Sequence, residues 1–83
     1  MQYVVYILQS KKDLSYYIGH TDNPERRIEE HNRGKDKYTK SKIPWTLVRK
    51  EFFDTRGEAM TRENQIKRKK SRKYIDWLVG SKS

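Results

Sequence analysis

The stretch "YVVYILQSKKDLSYYIGH", residues 3–20, sets two runs of β-branched and aromatic residues either side of a polar break. The first run, "YVVYILQ", is apolar on both faces and reads as a central strand. "KKDLS" is polar enough to turn, and "YYIGH" returns as a second strand, giving an antiparallel hairpin. A turn centred on Lys11 and Lys12 sets Tyr6 opposite Tyr17, although no Asn-Gly or Asp-Gly pair fixes that register. Gly19, on the same strand as Tyr17, leaves room for something to approach the sheet.

Outward from the hairpin, "TDNPERRIEEHNRG" carries a full set of helix punctuation. Asn23 can cap, Pro24 suits the first helical position, Glu25 favours the positive end of the dipole and Gly34 suits the exit. A surface helix built for packing repeats apolar residues every three to four positions. This one has Ile28 and little else, while Arg27 and His31 stand one turn apart on a single face. Residues 35–45 form a basic loop ending in "IPW", and "TLVRKEFF" is a third strand.

"TRGE" is a capping box, with Thr55 as cap and Glu58 three residues on, opening a longer helix. "SRKYIDWLV" is a last short helix, capped by Ser71 and stopped by Gly80. The order strand, strand, helix, strand, helix, helix predicts an α+β domain, a three-stranded antiparallel sheet flanked by helices. Residues 1–79 are expected to form a single domain and 80–83 a flexible tail. Tyr3, Tyr16, Tyr38 and Tyr74 are expected to pack, and Trp77 to lie in the core.

Eighty-three residues, 33% of them hydrophobic and 37% charged, allow one domain with a thin core. With no cysteine there are neither disulfides nor thiolate metal sites. The apolar run at the N-terminus is too short for a signal peptide or a membrane span, so a cytoplasmic protein without membrane attachment is expected. The net charge of +9 is unevenly placed. Residues 1–31 hold four Lys/Arg against five Asp/Glu, and residues 32–83 hold sixteen against six. Within the second part "KRKKSRK", residues 67–73, has six basic residues in seven. Such asymmetry points to a polyanionic partner, nucleic acid before membrane, against the plainer reading of a solvated helix surface.

One residue contradicts its position. On the helix opening at Thr55, positions 59, 63 and 66 share a face, and two of them are Ala59 and Ile66. The third is Glu63. A buried carboxylate costs several kcal/mol unless it is paired or liganded. Glu63 therefore either binds something or forms an ion pair with Arg26, Arg27 or a lysine on a neighbouring helix.

"VVY" at 4–6, "YIG" at 17–19, an arginine ten residues after Tyr17, "HN" at 31–32 and "EAMTRENQIK" at 58–67 together resemble the GIY-YIG nuclease domain. The resemblance spans roughly residues 3–75. It is strongest to the short standalone bacterial members, the UPF0213 or YhbQ-like group. It implies hydrolysis of DNA phosphodiesters, in repair or recombination, with one divalent cation, Mg²⁺ or Mn²⁺. By position, Tyr6 and Tyr17 would be the signature pair, one activating or orienting the attacking water. Arg27 would contact the scissile phosphate and Glu63 would hold the cation. His20 would lie near the phosphate, with His31 and Asn32 in support. Lys40, Lys42, Lys67, Arg68, Lys69, Lys70, Arg72 and Lys73 would grip the nucleic-acid backbone, which positions but does not specify. Substrate choice would then rest on DNA shape, a protein partner or a homodimer.

The first signature reads Val-Val-Tyr where the family has Gly-Ile-Tyr. A catalytically weak or inactive nucleic-acid-binding module on the same fold is the alternative. A protein-interaction domain using the "IPW" loop and Trp77 draws less support.

Overall fold

The computed structural model describes residues 2–80; of the tail expected at 80–83, Gly80 instead ends the last helix, and 81–83 lie outside the described residues. The chain runs β1 (Tyr3–Ser10), β2 (Tyr16–Thr21), α1 (Pro24–Asn32), α2 (Lys37–Lys40), β3 (Trp45–Phe53), α3 (Arg56–Lys69) and α4 (Arg72–Gly80). Both sheet pairings are antiparallel and the strand order is β2-β1-β3. The central position of β1 explains why its sequence is apolar on both faces. Within the expected basic loop the structure adds one helical turn, α2, capped by the Asp36 side chain on Tyr38 N.

The sheet divides the core in two. Val5, Ile7 and Ile18 pack on Ala59 and Ile66 of α3 and Leu78 of α4. On the other face Tyr6, Leu8 and Trp45 pack with Tyr17, Ile28 and Leu47. Between Ile7 and Leu8 the β1–β3 register slips by one, leaving Val48 as the extra residue of a bulge.

The ends of the helices are chemically specified. Thr55 and Glu58 form the capping box of α3, and Ser71 Oγ accepts from Tyr74 N at the start of α4. Gly34 leaves α1 at φ +77, a conformation that a side chain would strain. Glu51 of β3 ties the sheet to the helices. It takes Arg49 at 2.8 Å and Arg62 of α3 at 2.7 Å, while Arg49 also donates to the Leu78 carbonyl of α4. All three side chains are less than a quarter exposed, so this network holds α3 and α4 on the sheet more firmly than surface ion pairs do.

Three expectations are corrected. The hairpin register places Tyr6 opposite Gly19 and Tyr17 opposite Leu8. A two-residue turn at Lys11-Lys12 would need positive φ at Lys11 or at both lysines. The chain instead forms a longer loop, in which Ser10 Oγ accepts from Lys12 N and Asp13 N, and Asp13 accepts from Ser15 N. Because the register moves by two, Tyr6 and Tyr17 still share a face. Trp77 is 65% exposed and Tyr38 69% exposed, so neither is in the core. Leu78 supplies the buried contact of α4, and α2 carries its buried residue, Thr39, next to Tyr38.

Candidate active site

Tyr6 on β1, Tyr17 on β2 and His31 on α1 meet on one face of the sheet. Ring centroids lie 6.3 Å apart for Tyr6 and Tyr17, 6.1 Å for Tyr6 and His31, and 4.8 Å for Tyr17 and His31. The exposed Tyr38 ring stands 6.3 Å from Tyr17. Space at Gly19 is used, though by the protein itself. A Cβ there would come within 2.6 Å of Tyr6 Oη and 2.8 Å of its Cζ. Tyr6 is 1% exposed and has nowhere to retreat. Gly19→Ala is therefore expected to lower stability by about 1–3 kcal/mol, read by thermal or urea unfolding. An unchanged unfolding midpoint would show that the Tyr6 ring is not fixed over this glycine.

His31 explains why α1 lacks an apolar stripe. It is wholly buried, and both ring nitrogens are used. Thr39 Oγ1 donates to the Asp36 carbonyl at 3.4 Å, so it accepts the Nδ1–H of His31 at 2.9 Å. That assignment leaves the Nε2 lone pair to accept from Tyr6 Oη at 3.2 Å. Burial, then the charge of Arg27, lowers the His31 pKa below its ordinary 6.5, which keeps the imidazole neutral at neutral pH. Burial and the neighbouring Tyr17 push Tyr6 up to about 12, against the pull of Arg27.

Arg27 lies at the edge of this cluster, about one-third exposed. It donates to Glu30 at 3.2 Å and to Asp36 at 3.3 Å. Burial opposes its charge, but the Tyr6 hydroxyl and Glu30 outweigh burial and hold its pKa above the usual value. Asp36 does two jobs, with Oδ1 capping α2 and Oδ2 taking Arg27.

Glu63 projects from α3 at the edge of its apolar face and is 15% exposed. It is paired, though with none of the arginines considered from sequence. His20 Nδ1 lies 2.7 Å from Oε1 and Lys67 Nζ 2.6 Å from Oε2. Burial raises the Glu63 pKa, but Lys67 and His20 outweigh it and leave a net lowering, so the carboxylate is charged at neutral pH. Its charge also contributes to raising Tyr6, which links this pair to the Tyr6 cluster. Among the described residues no three carboxylates or imidazoles gather as a metal cage. A single partly buried carboxylate fits Mg²⁺ or Mn²⁺ all the same. Such ions keep several waters and bind through one or two carboxylates plus substrate phosphate.

The basic residues do not form one surface. Lys67, Lys70 and Arg72 face the β2 side, whereas Arg68 and Lys69 face a depression shared with Arg62 and Tyr74. Lys40 and Lys73 are exposed, and Lys42 is held at the hairpin loop by Asp13 and Ser15. Asn32 braces the site, accepting from Trp45 N at 2.6 Å and donating to Trp45 O. Asp36 and Thr39 were missed in the sequence. Their signal was slight, an aspartate in cap position before a threonine within a basic loop. The lysine expected from a neighbouring helix is instead Lys67 of α3 itself, a partner missed although a Glu-to-Lys spacing of four on one helix signals it.

No helix among the described residues is long and apolar enough to cross a membrane. The family described as the GIY-YIG catalytic domain matches residues 2–75. A UPF0213 protein of Staphylococcus haemolyticus is 49% identical over 67 residues, covering 80% of each chain. One from Clostridium perfringens is 48% identical over 80 residues, covering 95% of this chain and 84% of the other. The solution structure of a UPF0213 protein from Bacillus halodurans is 41% identical, covers 95% of this chain and 83% of its own, and superposes with a TM-score of 0.60.

Proposed function

The chain belongs to the GIY-YIG family, and from that premise we propose that it is a metal-dependent nuclease hydrolysing DNA phosphodiester bonds in repair or recombination, in the cytoplasm. One observation carries the reading. The Tyr6 hydroxyl donates to a neutral, buried His31, close to the guanidinium of Arg27 and within the field of Glu63. A phenol with a pKa of about 12 is no base at neutral pH on its own. Tyr6 is buried in the free protein, so substrate binding must first open its hydroxyl to the attacking water. With His31 Nε2 behind it, Tyr6 Oη then takes a proton from that water as its own proton passes to the imidazole. His31 can receive that proton because Thr39 holds its other nitrogen in the donor state.

Arg27 presents its remaining N–H groups to a non-bridging phosphoryl oxygen and offsets the charge that grows there. Tyr17, half-exposed beside His31, walls and orients the reacting groups. Glu63 would hold the cation in place of its contacts to His20 and Lys67. The bound ion would promote ionisation of water and offset charge on the leaving oxygen.

A second reading is supported by the ion pairs themselves. Glu63 is already partnered by Lys67 and His20 and Arg27 by two carboxylates, an arrangement compatible with a nucleic-acid-binding module that cuts weakly or not at all. A panel of labelled single-stranded, duplex, flap and branched DNA separates the two. The nuclease cuts with Mg²⁺ or Mn²⁺ and stops on addition of chelator. Binding to the panel without cleavage under either cation would leave the binding module as the better account.

A further inference from the structure

The basic run at residues 67–73 is split by the turn between α3 and α4. Lys67 and Lys70, with Arg72, line a groove of about 310 Å³ between β2 and the α3–α4 junction. Tyr16 forms one wall, and no acidic residue lines it. Arg72 is part of the wall, fixed by the Leu14 carbonyl at 2.8 Å and stacked over the Tyr16 ring. The two lysines are the cations left to meet an anion. Lys70 closes α3 at φ 47, a left-handed position that favours glycine, so local backbone preference does not explain the side chain there.

Lys67 belongs to two places at once. It lines the groove, and its Nζ also lies against Glu63. Its side chain is 50% exposed while that of Glu63 is 15% exposed, so the lysine can swing away and the carboxylate cannot. An anion in the groove competes with Glu63 for this ammonium.

Resting on the nuclease reading, we propose that the groove, on the α3–α4 face of the sheet and adjoining Glu63 through Lys67, is a phosphate subsite for the DNA backbone, and that Lys67 couples its filling to cation binding at Glu63. A phosphate in the groove draws Lys67 off Oε2 and opens that oxygen to the divalent ion. Substrate and cation then favour each other, by the same factor in each direction. The groove's hydroxyls are engaged within the protein, Ser15 with Asp13, Tyr16 with Asp76 and Ser71 with Tyr74 N, so its lysines grip a backbone without reading sequence.

The test compares Lys70→Gly with Lys69→Gln, adjacent residues on opposite sides of the junction. Lys70→Gly removes the cation and relieves the left-handed backbone, so the variant melts no lower than the native protein. Its affinity for a labelled DNA duplex, by fluorescence anisotropy, falls severalfold, and the log–log salt slope drops by about one. Lys69→Gln loses less. Free Mn²⁺, followed by electron paramagnetic resonance without turnover, reads the coupling. DNA tightens Mn²⁺ binding to the native protein, whereas Lys67→Met binds Mn²⁺ more tightly without DNA and gains little from it. Equal losses at the two lysines overturn the proposal, as does Mn²⁺ affinity unchanged in Lys67→Met. With Glu63-dependent cleavage intact, either result removes the groove and leaves the nuclease reading standing. A native protein that binds no Mn²⁺, with or without DNA, overturns both.

Discussion

Glu63→Gln is expected to reduce DNA cleavage by about 10³-fold or more with Mg²⁺ or Mn²⁺, while DNA affinity measured without divalent cation stays the same or rises slightly. The amide keeps the shape of the side chain and one carbonyl oxygen, so α3 is not forced to move. It loses the charge, and with it the carboxylate that faces His20 and Lys67 together. A cation contributes several kcal/mol of transition-state charge stabilisation, and each ~1.4 kcal/mol is tenfold in rate. The fold is expected to lose about 1 kcal/mol or less, because the released Lys67 is half exposed and returns to water. Affinity holds because removing a negative charge beside a polyanion cannot repel it. Single-turnover cleavage, anisotropy and thermal melting on the same preparation separate these effects. Cleavage by the variant within about tenfold of native would remove Glu63 from the chemistry.

The legible and illegible parts of this molecule divide by the range of the interaction. The hairpin, the capping box at Thr55 and the exit at Gly34 depend on a few adjacent residues, and each was readable as such. Glu63 was readable because it breaks the apolar face shared by Ala59 and Ile66. What stabilises Glu63 was less readable, since His20 reaches it from a strand 43 residues away. The hairpin register depended on side-chain bonds from Ser10 and Asp13 that compete with the tight turn. Trp77 and Tyr38 misled because size and aromaticity report burial only on average, while α4 and α2 turn other residues inward. His31 is the most instructive case. Its role in packing α1 cannot be read from helix periodicity, because its burial is compensated by Thr39 and Tyr6, the second 25 residues distant.

That dual role makes His31→Ala costly in two separable ways. Removing a wholly buried imidazole leaves a cavity and strips the Tyr6 hydroxyl of its acceptor and Thr39 of its donor. A loss of about 2–4 kcal/mol in unfolding free energy is expected. Cleavage is expected to fall about 10²–10⁴-fold, the usual worth of a general acid–base group, even at temperatures where the variant is fully folded.

The pH dependence distinguishes proton transfer from packing. His31 has its pKa lowered in the fold relative to 6.5 in the unfolded chain, so between the two values the unfolded state binds more protons. Its contribution to stability is thus fully present above pH 6.5 and is lost as pH falls through the lowered folded value. The groups facing it set that value: Arg27 lowers it while Asp36 and Glu30 raise it, with burial the largest cause. The paired carboxylates of Glu51 and Glu63, lowered from 4.5, titrate in a more acidic window, so a loss beginning just below pH 6.5 is assigned to His31. The native protein should begin to lose stability just below pH 6.5 and lose cleavage rate only as pH falls through the lowered folded value of His31, and His31→Ala should lose both acid limbs. If the variant keeps the native rate profile on the acid side, another group carries the proton, and the bond from Tyr6 to His31 serves packing alone.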